Sequence, residues 1–197
     1  MNIVFATNNK NKVVEIQQLL PETIKIQTLS EIGCFDNLPE TMPTISENAI
    51  QKAAFVATKY NCICFAEDSG LEIDALFGDP GVRSARYASE HKDDGANIEK
   101  VLDNLKNETK RSARFRTVIA YINAEETVLF EGVCEGTIMS KKIGTAGFGY
   151  DSIFQPVGFE KTFAQMDISE KNEISHRALA MRGFLKFLSA QINKKHV

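Results

Sequence analysis

Residues Cys62 to Gly70 read CICFAEDSG, an unbroken apolar run followed at once by two acids, a serine and a glycine. A run without polar alternation describes a strand covered on both faces, an interior strand of an α/β sheet. The acids then stand at its carboxyl end, where open α/β sheets form their ligand crevices. Adjacent acids after a strand also make ordinary solvated turns. Ser69 and Gly70 suit a turn as well as close approach of a ligand, so the motif alone leaves both readings standing.

Toward the amino terminus, ENAIQKAAFVATKY (47–60) is an amphipathic helix, with Ser46 expected as its N-cap and Glu47 at the positive end of its dipole. An irregular acidic stretch, SEIGCFDNLPETMPTI (30–45), precedes it, and before that IKIQTL (24–29) alternates as a strand. Val13, Ile16, Leu19 and Leu20 fall at helical spacing between Lys10 and Leu20, Pro21 ends that helix, and Ile3 to Ala6 form a short buried strand. The order β, α, β, α, β predicts a mixed α/β sheet.

Toward the carboxyl terminus come a strand-like LEIDAL (71–76), the turn-rich FGDPGVRSARYA (77–88) and a short helix over Asp93 to Lys106. ARFRTVIAYI (113–122) and ETVLFEGVCEG (126–136), joined by NAEE, read as a long antiparallel hairpin assigned to a second lobe. A Gly-rich aromatic loop, GTAGFGYDSIFQP (144–156), follows. A final helix from Arg177 to Ile192 sets Met181, Phe184, Leu185, Leu188 and Ile192 on one side.

At 197 residues and 43% hydrophobic content the chain can build one large domain or two closely packed lobes, which excludes a disordered protein. A net charge of -3 gives no general affinity for nucleic acid or acidic lipid, while a small anionic ligand needs only a local group of cations. Cys34, Cys62, Cys64 and Cys134 contain no C-x-x-C pair and read as reduced core or near-core thiols, with zinc or disulfides as the alternative. The first apolar segment is too short for a secretory signal and no run reaches the length of a membrane span, so a soluble cytoplasmic protein is expected.

TNNKNK (7–12) leaves the first strand and enters a helix. Its backbone amides, the side chains of Thr7, Asn8 and Asn9, and the ammonium groups of Lys10 and Lys12 would suit phosphate oxygens, without the spacing of a Walker A loop. A solvated helix start is the alternative. In GTAGFGYDSIF an aromatic ring carried by glycines can stack on a flat heterocycle, or the rings can fall back into the core. Lys171, His176 and Arg177 put three donors within seven positions; a lone His there is commonly a cap, and the adjacent Arg favours an acceptor oxygen. His91 and His196 have no such neighbours. Arg114 and Arg116 in KRSARFR share one strand face, which in an acidic chain reads as solvated surface before nucleic acid.

Together and in this order, TNNKNK, EDSGL, PGVRSARYA, FGYDSIF and SHRALA resemble the inosine triphosphate pyrophosphatase family, the non-canonical purine (dITP/XTP) pyrophosphatases, from about Phe5 to Ala180. The resemblance implies a mixed α/β fold with an elongated central sheet, flanking helices and two lobes around an active-site cleft. It implies hydrolysis of ITP, dITP or XTP between the α and β phosphates with Mg2+, and commonly a homodimer. Thr7, Asn8, Asn9, Lys10, Asn11 and Lys12 match the phosphate loop, with Lys12 its principal cation, and Lys52 matches a second phosphate lysine. Glu40 matches the metal-binding glutamate, and Asp68 the general base near the metal. Phe148, Gly149, Tyr150 and Asp151 match the base loop, Lys171, His176 and Arg177 the residues that bind the nucleotide and read the purine, and Ser69 another substrate contact.

The chain departs from the family pattern in having Glu67-Asp68 where Asp-Asp is common, ETMP for Glu-Thr-Gly, and Ser152 in place of Pro. Two other readings compete with the enzyme. A nucleotide sensor would keep the pocket without turnover, yet has no need of a metal and a base at the reacting phosphate; a nucleic-acid binder would use KRSARFR and the aromatic loop.

Overall fold

The computed structural model describes residues 2–194, with side chains as far as 191; the Ile192 side chain and His196 lie outside the described residues. In chain order the elements are β1 (Asn2–Phe5), α1 (Lys10–Leu19), β2 (Lys25–Gln27), α2 (Ile45–Tyr60), β3 (Cys64–Ile73), α3 (Asp94–Asn104), β4 (Ser112–Ile122), β5 (Thr127–Ile138), β6 (Phe154–Pro156), α4 (Ile168–Ile174) and α5 (His176–Lys194). One six-stranded sheet runs β2-β1-β3-β4-β5-β6. β1 is parallel to both β2 and β3, whereas β5 and β6 are antiparallel, so the mixed α/β reading holds.

The chain forms two compact units. The first comprises residues up to Asp68, Thr117–Gly132 and those from Ala178 onward; the second comprises Ser69–Arg116 and Val133–Arg177. The boundary falls inside strands, and the hairpin expected to belong wholly to a second lobe is shared. Its tip goes with the first unit because Val118, Ile119, Ala120 and Tyr121 are apolar at every position and feed that unit's cores.

In the first unit the period of two along each strand sorts side chains into two cores. Val4, Ala6, Cys64 and Ala66 pack with Ala49, Ala53 and Val56 of α2. Ile3, Phe5 and Phe65 pack with Ile16 of α1 and with Ala180, Met181, Phe184 and Leu188 of α5. The Phe5 and Phe65 rings stack at 4.5 Å between centroids. Helices on both faces are what the unbroken run before Glu67 demands.

The second unit packs Leu71, Ile73, Val101, Leu105, Phe154 and Phe163 into one core. The arginines of KRSARFR serve this unit: Arg111 donates to the carbonyls of Leu105, Ile138 and Met139, Arg114 pairs with Asp74 and Glu135, and Arg116 with Glu72.

Three local expectations change. Thr44, not Ser46, caps α2, because its extended backbone aims its hydroxyl at the Glu47 amide, 3.1 Å away. α4 was not foreseen, although Asp167-Ile168-Ser169-Glu170 spells a reciprocal capping box that the structure contains. Most consequential, β3 runs unbroken through Glu67-Asp68-Ser69-Gly70, so the acids stand within a strand and not on a turn after it.

All four cysteines are free, and Cys34, Cys64 and Cys134 are buried. Burial pushes the Cys64 thiol up from its ordinary value and raises that of Cys134 to about 11. Only the thiolate reacts, so near about pH 8 reactive Cys134 is about a hundredfold scarcer than an exposed thiol. Mass spectrometry after iodoacetamide should therefore find Cys64 and Cys134 unmodified in the native protein and fully modified after denaturation.

Candidate active site

Adjacent residues of a strand face opposite sides of the sheet, and β3 uses this at its acid pair. Glu67 follows Phe65 onto the face covered by α1, and Asp68 follows Cys64 and Ala66 onto the face covered by α2. Each helix answers with a lysine. Lys12, in the first turn of α1, sets Nζ 3.0 Å from Glu67 Oε1. Lys52 of α2 sets Nζ 2.7 Å from Asp68 Oδ1 and 2.9 Å from Glu40 Oε1.

Glu67, Lys52 and Asp68 are all buried. Burial alone would lower the Lys52 ammonium, but the carboxylates of Asp68 and Glu40 outweigh it and hold the pKa above its usual value. The Asp68 carboxyl is pushed up by burial, against the pull of Lys52 and Lys12. A carboxylate raised in this way is a stronger base than a surface aspartate, which is what proton abstraction at neutral pH requires. With every group ionised, three carboxylates against two ammonium groups leave one net negative charge.

The chain around Glu40 is clamped to α2 through its backbone. The Met42 amide donates to Asn48 Oδ1 at 2.9 Å, Asn48 Nδ2 donates to the Met42 carbonyl, and the Thr41 amide donates to Gln51 Oε1 at 3.0 Å. Asn48 reads only the backbone of residue 42, a contact that does not depend on the side chain at that position. Among the described residues no three His, Cys, Asp or Glu side chains gather as a metal site. Glu40 and Asp68, each within 3 Å of the Lys52 ammonium, are nevertheless a pair of carboxylates of the kind that holds a divalent cation when substrate phosphates complete the shell.

At the start of α1, Asn9 is the N-cap, its Oδ1 accepting from the amides of Asn11 and Lys12, and Thr7 Oγ1 accepts from the Asn9 amide. Asn8 Nδ2 donates to the Asp36 carbonyl at 3.3 Å, while Lys10 and Asn11 are exposed. A cavity of about 470 Å³ opens beside this loop, with Thr7, Asn8, Asn9 and Lys10 on one wall and Thr28 and Ser30 on another.

The second unit gathers a different group. The loop carrying Phe148 turns through Gly147 and Gly149, both at positive φ, and a Cβ at Gly147 would collide with the Asp151 carboxylate. Asp151 Oδ2 accepts from the Phe148 amide at 3.0 Å and from Lys171 Nζ at 2.7 Å. The half-buried Phe148 ring lies 5.3 Å from Lys171 Nζ and 5.7 Å from Arg177 Cζ. His176 stacks on Phe115 at 4.6 Å. Tyr150 is buried and donates its hydroxyl to the Ser84 carbonyl, so its ring belongs to the core while Phe148 stays accessible. Ser69, half-buried, opens the second unit's share of β3 directly after Asp68.

Among the expected residues, the structure thus brings together Lys12, Lys52, Glu40 and Asp68 in the first unit, and Phe148, Asp151, Lys171 and Arg177 in the second. Glu67 as the partner of Lys12 was not foreseen, though period-two alternation with a helix over each face pointed to it. Asp94, whose carboxylate accepts the Gly149 amide at 2.7 Å, left no local signal, since the contact spans 55 residues.

The model of the Ham1 family matches residues 3–187 of this chain. A dITP/XTP pyrophosphatase of Flavobacterium psychrophilum is 52% identical over 187 residues, covering 95% of this chain and 98% of that protein. The dITP/XTP pyrophosphatase of Bacillus subtilis is 49% identical, covering 95% and 96%. The solved structure of the Staphylococcus aureus Ham1 protein superposes with a TM-score of 0.89 at 41% identity, covering 97% of this chain and 100% of that one.

Removing one partner of a buried ion pair strands the other's charge. Lys52→Met should therefore lower unfolding free energy by roughly 3 kcal/mol in urea titrations, and adding Asp68→Asn should recover much of that loss. A single substitution without effect would show the pair to be solvated.

Proposed function

The chain belongs to the Ham1 family, and from that premise we infer how its side chains act as those of a pyrophosphatase that hydrolyses non-canonical purine nucleoside triphosphates, ITP, dITP and XTP. The cut we propose lies between the α and β phosphates and yields the monophosphate and pyrophosphate, with Mg2+ required. The observation that supports it is the buried Lys52 ammonium held between Asp68 and Glu40, with Glu67 next to Asp68 in the strand and paired with Lys12 of α1.

In this reading Lys12 and Lys52 offset negative charge on the phosphate oxygens, Lys12 exchanging Glu67 for the substrate. The loop from Thr7 through Asn11 lines the same phosphates. Asp68 takes the proton of the attacking water, the step its raised pKa suits. Glu40 and Asp68 would hold the Mg2+, which when bound polarises a phosphoryl oxygen and orients the substrate.

Phe148 offers the base a ring to stack on, with Gly149, Tyr150 and Asp151 shaping its loop, and Lys171, His176 and Ser69 complete the contacts. Arg177 donates to the oxygen at the six position of hypoxanthine or xanthine. Adenine carries a donor there, so the same group would face a donor and reject ATP. A cytoplasmic homodimer belongs to the same proposal; among the described residues no helix is long and apolar enough to cross a membrane.

Pyrophosphate release with Mg2+ from ITP, XTP and dITP should far exceed that from ATP or GTP and stop with a chelator. Asp68→Asn should lower kcat by about a hundredfold to ten-thousandfold. Orthophosphate release would move the cut to another bond, and tight ITP binding without turnover would make the protein a sensor. Arg177→Ala should narrow the ITP over ATP ratio of kcat/KM; an unchanged ratio would remove Arg177 as the reader of the six position.

A further inference from the structure

The loop that presents Phe148 is built largely from residues with little conformational preference of their own. Gly147 and Gly149 both sit at positive φ, and such a segment samples many conformations unless its peptide groups are tied down. The peptide before Phe148 is tied within the loop, its amide donating to Asp151 Oδ2. The peptide after Phe148 has a long turn contact, from the Asp151 amide to the Phe148 carbonyl at 3.3 Å, and a short one from outside. That outside contact is the 2.7 Å bond from the Gly149 amide to Asp94 Oδ2, a charge-assisted bond to the first residue of α3.

α3 is a firm anchor for it. Ile98 and Val101 are buried in the second unit's core, Asn97 accepts from the Ala88 amide and donates to the Ala85 carbonyl, and Lys100 donates to the Tyr87 carbonyl. The segment so fixed also carries Ser84, whose carbonyl accepts the Tyr150 hydroxyl at 2.8 Å. Asp94 is not needed to start the helix, since Asp93 is the N-cap and accepts from the Ala96 amide at 2.9 Å. An exposed acid that is spared from capping spends its carboxylate on one amide of the Phe148 loop.

We propose that Asp94 is a positioning residue for base recognition: it fixes the Phe148–Gly149 peptide, and through it the Phe148 ring beside Lys171 and Arg177. The inference rests on the assignment of Phe148 to the purine. Losing the bond costs the order of the loop before substrate binds, so it weakens substrate binding and leaves the phosphate chemistry in the first unit intact.

The test compares Asp94→Ala and Asp94→Asn with the wild type and with Phe148→Ala, using ITP and Mg2+. Asp94→Ala should raise KM about tenfold or more with kcat within about twofold. Hydrogen exchange across Gly147 to Asp151 should quicken in the same variant, and its melting temperature should stay near wild type because Asp93 still caps α3. Asn keeps a side-chain acceptor, so Asp94→Asn should restore most of the KM and of the exchange protection. An unchanged KM in Asp94→Ala overturns the proposal if Phe148→Ala raises KM. A fall in melting temperature that tracks the KM change in both variants overturns it too, by making Asp94 a part of the fold alone. If Phe148→Ala itself leaves KM unchanged, the assignment of the loop to the base falls, and the proposal with it.

Discussion

Strand β3 carries two acids through a buried stretch, and the first unit is arranged around that cost. An isolated ionised carboxylate in an apolar interior is penalised by several kcal/mol even after relaxation, so the strand is tolerable only where a cation meets each acid. Lys12 and Lys52 do so from opposite faces of the sheet. Their placement constrains α1 and α2 to cover the strand at the level of Glu67 and Asp68, and the clamp of Thr41 and Met42 onto α2 brings Glu40 to the same ammonium. Buried ion pairs are weak evidence for stability, because apolar residues of similar volume would serve a fold as well. Five charged groups kept together at one level of a sheet therefore speak for chemistry.

The second unit deals with the same problem by other means. Lys171 and Arg177 are cations with little exposure, and the Phe148 ring lies near both. A cation over a ring face gains about 0.5–2 kcal/mol, too little by itself to offset desolvation, and Lys171 is also paired with the Asp151 carboxylate at 2.7 Å. The result is an aromatic ring flanked by two cations and a carboxylate, held within one unit.

The run before Glu67 identified β3 as an interior strand because burial on both faces removes alternation, and that property is local. Lys12 and Lys52 stood out through the family resemblance, and the structure gives them carboxylate partners. The continuation of β3 through Ser69 and Gly70 was hidden, because serine, glycine and acids favour turns wherever nothing else holds them in a strand. Tyr150 and Phe148, two residues apart in one loop, went to the core and to the accessible side, and the loop's composition carried no sign of which would go where.

The sequence by itself determined the mixed α/β class, most element positions and the family, since these follow from hydrophobic period, helix punctuation and the order of short motifs along the chain. Tertiary structure decided which acid meets which lysine, the division of the hairpin between two units, the turning of Tyr150 away from Phe148, and the bond from Asp94 to Gly149. Each of these depends on partners separated by tens of residues, where the energy of a contact is set by burial and geometry that no local pattern encodes.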